Sequence, residues 1–176
     1  LAAEGEILDH CVVGEPTSSE TFGDMVKIGR RGSVNVEIAV TGVQGHVAYP
    51  HRAANPTPIL IKLLARLQDH VLDEGYQDFQ PSNLEVTRID VPNTATNVIP
   101  GHAWARLNIR FNPAHTGQSL VDWIEGEARA VGEGFPGSIA VTPQISGEAF
   151  LTETGAFTDL VSDAVKAATN RAPELS

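Results

Sequence analysis

Two stretches of strict alternation constrain what this chain can fold into more than any other feature. Ala103, Ala105, Leu107, Ile109 and Phe111 fill every second position of one, with Trp104, Arg106, Asn108 and Arg110 between them. Val34, Val36, Ile38 and Val40 do the same in the other, alternating with Ser33, Asn35, Glu37, Ala39 and Thr41. A period of two sustained this long describes strands with one apolar and one polar face. The apolar face needs a covering layer, and two helical patterns supply it. Asn55 caps the first and Pro56 takes its first helical position. Ile59, Leu60, Leu63, Leu64, Leu67, Val71 and Leu72 then form one stripe, with Gly75 as the stop. Thr116 caps the second, whose Leu120, Ile124, Ala128 and Val131 share a face before the glycine-rich break at 132–137. Residues 84–91 read as a third strand and 92–101 as the turn region after it. Ile139 and Val141 mark a fourth strand, ending near Pro143.

The resulting order, β-α-β-β-α-β, is the split βαβ or ferredoxin-like arrangement. It is an α+β sandwich in which two helices cover one face of a four-stranded antiparallel sheet. The bare face then carries Asn35, Glu37, Arg106, Asn108 and Arg110. Arg110, at the end of its strand, is the candidate there for anchoring a carboxylate, because a guanidinium fork matches one bidentately.

Between the first strand and the first helix lies Gly42-Val43-Gln44-Gly45-His46-Val47-Ala48-Tyr49-Pro50-His51. Two glycines hinge a bend holding two histidines and a tyrosine, which is how a rigid scaffold presents reactive groups. A plain connecting loop is the alternative reading. Outside the sandwich the patterns change. Residues 1–5 read as a helix end and 7–13 as a short apolar strand covered on both faces, with Cys11 a buried, unreactive thiol. A single cysteine excludes an internal disulfide. Glu15, in Gly14-Glu15-Pro16-Thr17, sits where α/β sheets bind ligands, so its carboxylate suits either a metal ion or plain solvent. Lys27-Ile28-Gly29-Arg30-Arg31-Gly32-Ser33 is a basic knot between glycines, either a linker at a domain boundary or an anion grip. Phe150-Leu151-Thr152 and a helix bearing Phe157, Leu160, Val161, Ala164, Val165 and Ala168 return to the first, interrupted domain. The boundaries so drawn are 1–29, 30–147 and 148–176. A net charge of −10 and a pI near 4.9 argue against nucleic acid or an anionic membrane as partner. No apolar run is long enough to cross a bilayer and no signal peptide opens the sequence, so a cytoplasmic location is expected.

Val13-Gly14-Glu15-Pro16, Gly23-Asp24, the basic knot, the His46 string with Asn55-Pro56, Asn97-Val98-Ile99-Pro100-Gly101 and Arg110-Phe111 occur in this order along nearly the whole chain. The set resembles the M20 family of metallopeptidases. The resemblance implies a two-domain enzyme. Its α/β catalytic domain holds two zinc ions, with cobalt as the substitute, and is represented here by 1–29 and 148–176. Its inserted lid, 30–147, makes the homodimer. The activity implied is metal-dependent amide hydrolysis. The Gly-Arg-Arg-Gly-Ser and Val-Gln-Gly-His-Val-Ala-Tyr-Pro-His strings favour the branch that removes succinate from an N-succinylated diamino dicarboxylic acid of lysine biosynthesis. Acetylornithine deacetylases and aminoacylases are the nearest alternatives. By the same resemblance Glu15 becomes a zinc ligand. His46 becomes a lid histidine that reaches across the dimer to polarise the scissile carbonyl and stabilise its oxyanion. Lys27, Arg30, Ser33, Tyr49, Asn97 and Arg110 become the groups that hold the substrate's carboxylates. His51 is left a loop-stabilising hydrogen bond, and His10, His70, His102 and His115 are left structural or solvated places.

The family's His-x-Asp motif, its Asp ligand, its Glu-Glu pair and its late histidine ligand do not occur in this sequence. With about one ligand in five, a zinc site does not close. The expectation for these 176 residues alone is no catalytic zinc and no turnover. A free-standing ferredoxin-like oligomerisation module, with His46 an ordinary surface residue, is the competing expectation. Either way the sheet's open edges invite pairing, with the long first helix packed on its mate.

Overall fold

The structure, a computed structural model, describes Gly5 and residues 7–176. In chain order the elements are β1 (Met25–Val26), β2 (Gly29–Arg30), β3 (Gly32–Thr41), β4 (Gly45–His46), α1 (Pro56–Asp69), β5 (Asn83–Asp90), β6 (Val98–Ile99), β7 (His102–Phe111), α2 (Gly117–Gly132), β8 (Ser138–Gly147), β9 (Phe150–Leu151), α3 (Ala156–Thr169) and β10 (Glu174–Leu175). They pack as two units: Arg31–Phe150, and the described residues up to Arg30 together with Leu151–Ser176.

The first unit is the ferredoxin-like sandwich. Its four-stranded antiparallel sheet has the order β5-β7-β3-β8, with α1 and α2 on one face. The alternation decides which face is buried. Val34, Val36, Ile38 and Val40 of β3 and Ala103, Ala105, Leu107, Ile109 and Phe111 of β7 are all buried. They meet Leu60, Leu63, Leu64 and Leu67 of α1 and Leu120, Val121, Ile124, Ala128 and Val131 of α2 in one core. The caps form as the sequence implies. Asn55 Oδ1 accepts from the Thr57 amide at 3.1 Å. Thr116 and Ser119 cap each other reciprocally, each hydroxyl accepting from the other's amide at 3.1 Å.

Several expectations fail for local reasons. The fourth strand does not stop near Pro143 but runs on to Gly147. Pro143 pairs with Val36 on an outer strand, where a missing N–H facing the open edge breaks no ladder bond. The first helix ends at Asp69, so Val71 lies beyond it and is exposed, and Gly75 is not its cap. Gly75, at φ 111°, instead turns a loop organised by Asp73. The Asp73 carboxylate accepts from the amides of Gly75 at 2.8 Å and Ser82 at 3.2 Å, from Asn112 Nδ2 at 2.7 Å, and faces His115 Nε2 at 3.1 Å. Asn112 is fully buried, and its own amide donates to Ser82 Oγ at 3.0 Å. Burial alone would raise the Asp73 pKa; hydrogen bonds from Ser82, Asn112 and the Gly75 amide overcome it and hold the carboxyl at about 2, below its ordinary 3.8. The node ties the loop after α1 to the end of β7.

In the second unit, β1 pairs in parallel with β10, and Ile28 donates to the Ser176 carbonyl at 2.7 Å. His10 stacks on Phe157, with ring centroids 4.2 Å apart. Three carboxylate bonds from the Ser19, Glu20 and Thr21 amides close a turn on Asp24 and lower its pKa. The strand expected over 7–13 is not formed, and Ile7, Leu8, Val12 and Val13 are exposed. A strand of continuous apolar residues needs neighbours for both its ladder and its faces, and no described segment of this unit lies beside it as one. Cys11 is accordingly exposed and not buried. The helix end expected at 1–5 lies outside the described residues, Gly5 apart.

Candidate functional site

The connection from β3 to α1 is stapled at almost every residue. Gly42 donates to the Gly101 carbonyl at 2.8 Å, and Val43 and Ala54 exchange amide bonds at 2.9 Å each way. β4 then pairs with β6, Gly45 opposite Ile99 and His46 opposite Val98. The Val47 amide donates to Asn97 O at 3.0 Å and the Tyr49 amide to His46 O at 2.9 Å. Residues Pro50–Arg52 close a single 3-10 turn before the Asn55 cap. The glycine at 42 answers a close approach: a Cβ there would stand 1.9 Å from the Ala54 carbonyl oxygen. The bend is therefore rigid while its side chains face outward, Tyr49 being 53% exposed and His46 exposed as well.

Four polar side chains cluster on this bend. The His46 and Tyr49 rings lie 5.9 Å apart, His51 meets Tyr49 edge-on at 6.3 Å, and the Arg52 guanidinium lies 5.5 Å from the Tyr49 centroid. Asn97 is brought alongside the bend by its main chain, its carbonyl accepting from the Val47 amide. His51 thus takes a ring contact where a hydrogen bond was expected. Arg52 carries no signal of its own in the sequence beyond its place after His51. Its neighbourhood appears only once the 3-10 turn folds it back onto the tyrosine. The Ala48 amide donates to His46 Nδ1 at 3.1 Å, a bond the sequence does not announce.

Ser33 and Arg110 lie elsewhere. They face each other across β3 and β7, at the opposite end of β3 from the bend. The eight steps from Ser33 to Thr41, at about 3.3 Å each, span roughly 26 Å. Ser33 is 8% exposed and its Oγ accepts from Asn108 Nδ2 at 3.2 Å. Arg110 is exposed, opposite Asn83 on its other side, and Asn83 Oδ1 accepts from Arg31 at 3.2 Å. Both strands present these groups at the same end because the β3–β7 register is unbroken over ten pairs. Lys27 and Arg30 belong to the second unit, where Lys27 Nζ lies 2.9 Å from Ser176 Oγ and Arg30 lies in β2. Glu15 is exposed there, its amide donating to Val13 O at 3.1 Å. Among the described residues no three His, Cys, Asp or Glu side chains come together as a metal centre needs. By themselves they do not fit a dinuclear site.

His70 lies against Trp123 at 4.7 Å, His102 meets Thr41 at 3.4 Å and His115 faces Asp73, so each has a structural contact. No helix among the described residues is long and apolar enough to cross a membrane.

Residues 28–135 match the peptidase dimerisation domain family. Over all 176 residues the chain is 74% identical to the succinyl-diaminopimelate desuccinylase of Phenylobacterium zucineum and 66% identical to that of Caulobacter vibrioides, covering 46% of each. The chain thus spans about half the length of the curated relatives it matches. Among solved structures, a tripeptidase from Staphylococcus aureus aligns with a TM-score of 0.70 at 15% identity, over 86% of this chain and 40% of that one. An M20 family metallo-carboxypeptidase from Sulfolobus solfataricus aligns at 0.63 and 14%, over 84% and 45%. At those identities the solved structures speak for the fold alone.

Proposed function

Since the chain belongs to the M20 peptidase dimerisation domain family, we propose that it supplies the lid and the dimer-forming part of a metal-dependent amide hydrolase. The substrate proposed is N-succinyl-diaminopimelate, a dicarboxylate amino acid of lysine biosynthesis, and the product lost is succinate. Identity of 66–74% over the whole chain with proteins named as desuccinylases supports that substrate class.

The observation that carries the mechanism is the separation of the candidate residues into two groups. His46, Tyr49 and Asn97 gather at one end of β3, and Ser33 and Arg110 at the other. A substrate as long as about four extended residues, ~14 Å, cannot touch both ends of one lid. If both groups serve the reaction, each substrate must meet the Arg110 end of one copy and the His46 end of another. A homodimer in which His46 acts on the partner's substrate satisfies that condition. The outer strands β5 and β8 each keep a free edge for pairing, and α1, which packs on β5 and β7, carries an exposed Ile61. Exposed Ile7, Leu8, Val12, Val13 and Leu160 suit a unit that is part of a larger catalytic domain.

In this scheme Arg110 grips one carboxylate bidentately, Tyr49 and Asn97 help hold the substrate's carboxylates at the other end, and His46 donates a hydrogen bond to the carbonyl oxygen as negative charge develops on it. Glu15 would be one ligand of a metal centre, zinc by preference, that the full-length enzyme completes with ligands this chain lacks, and that centre would supply the Lewis acidity and the activated water. The test is His46→Ala in the full-length enzyme, assayed by succinate release. Loss of one oxyanion donor lowers kcat ~100 to 1000-fold. Unchanged turnover would remove His46 from the reaction.

A further inference from the structure

We infer that the backbone amide of Ala48 fixes His46 as its Nε2–H tautomer, so that the ring presents a donor at its outer nitrogen and no base there. The inference deepens the proposed role of His46 and rests on that reading for its catalytic meaning. The tautomer itself stands on geometry.

Ala48 N donates to His46 Nδ1 at 3.1 Å. A backbone N–H is always a donor, so the nitrogen it meets must offer a lone pair. A neutral imidazole whose Nδ1 accepts carries its proton on Nε2. Turning the ring over would set a C–H against the amide and forfeit the bond. The backbone leaves little slack for the pair to separate. His46 is held by its bridge to Val98, Val47 by Asn97 and Tyr49 by the His46 carbonyl, so Ala48 lies between two anchored residues. Nε2 is the ring nitrogen remote from Ala48, on an exposed side chain.

Two chemical consequences follow. A donor aimed before the charge develops needs no reorganisation during the reaction, and a single tautomer spares the loss that a split population imposes on an active form. A nitrogen already carrying the proton cannot take another from water, so the general base must come from a different residue. Ala48 is thereby a positioning residue that acts through its main chain.

The test is a long-range proton–nitrogen correlation spectrum of the full-length enzyme labelled with 15N-histidine, under mildly alkaline conditions, with His46 assigned by its loss in His46→Gln. The expected pattern has Nε2 in the protonated range and Nδ1 in the lone-pair range. Nδ1 in the protonated range, or both nitrogens averaged to the same position, overturns the inference. Ala48→Pro removes the N–H and should weaken the bias about fivefold, the weight of one ordinary hydrogen bond. Ala48→Gly keeps the N–H and should keep the pattern. If the proline variant fails to fold, the unsubstituted spectrum still decides. Activity of His46→Ala is read separately. A wrong tautomer with a slowed alanine enzyme refutes this inference alone, and the expected tautomer with an unslowed one refutes the catalytic role alone.

Discussion

Mixing two crippled enzymes should restore a defined part of the activity. The perturbation is a pair of full-length variants, His46→Ala and Arg110→Ala, each made separately. The geometry sets the magnitude. With roughly 26 Å between their ends of β3, the proposed arrangement assigns the two residues of one lid to different active sites of the dimer. Each parent therefore lacks one contact in both of its sites. The histidine variant should lose ~100 to 1000-fold in kcat. The arginine variant, deprived of a charged bidentate clamp, should lose a similar factor in kcat/KM. In a mixed dimer one site receives both defects and the other receives none. Random reassortment of equal amounts makes half the dimers mixed, so activity should recover to about a quarter of the unsubstituted enzyme. The assay is succinate release at low substrate after a cycle of mild dissociation and reassociation, with mixed dimers counted by native mass spectrometry. If mixed dimers form in that proportion and activity stays at the parental level, His46 serves its own subunit, and the argument from distance is wrong.

Gly42→Ala in the full-length enzyme should destabilise it by about 1–3 kcal/mol and lower activity, because the added methyl meets the Ala54 carbonyl and pushes the His46 bend away from its staples; thermal melting and turnover should fall together. Asp73 should add acid sensitivity of a stated sign. Its folded pKa of about 2 lies below its ordinary 3.8, so its contribution is complete above the ordinary value and disappears as pH falls through about 2. At neutral pH that contribution is at most on the order of 2 kcal/mol. Urea melts of the chain and of Asp73→Asn should differ most near neutrality and converge at the acid end, and a gap that stays constant with pH would contradict the node.

How much of this was legible depended on whether one residue's position could be decided by its neighbours in sequence. Ala103 to Phe111 alternate so regularly that strand, face and core follow at once, and the structure buries each apolar residue of the set. The Asn55 and Thr116 caps were legible because capping is a contact over two or three residues. The end of α1 was not, since Asp73 draws in Ser82 and Asn112 from well along the chain and decides the loop that follows. Pro143 looked like a strand end because its missing N–H matters only if a neighbour lies on that side, and sheet order settles that. Residues 7–13 show the converse: apolar composition suggests a strand but cannot supply a partner for it. At the candidate site, the glycines and rings around His46 were readable from their spacing. The distance from Ser33 and Arg110 to that bend follows from strand direction and was concealed by grouping all the candidate residues as one site.

The Asp73 node also sets where the lid tolerates added sequence. Beyond it, Tyr76 and Phe79 exchange amide bonds across a tight reversal whose tip, Gln77 and Asp78, is exposed. A spacer or fluorescent probe spliced between those two tip residues would hang outside the anchored carboxylate. Doubling the length of such a loop costs only about 0.6 kcal/mol in closure entropy. That makes the tip a practical handle for following exchange of the proposed dimer while leaving both ends of β3 where they are.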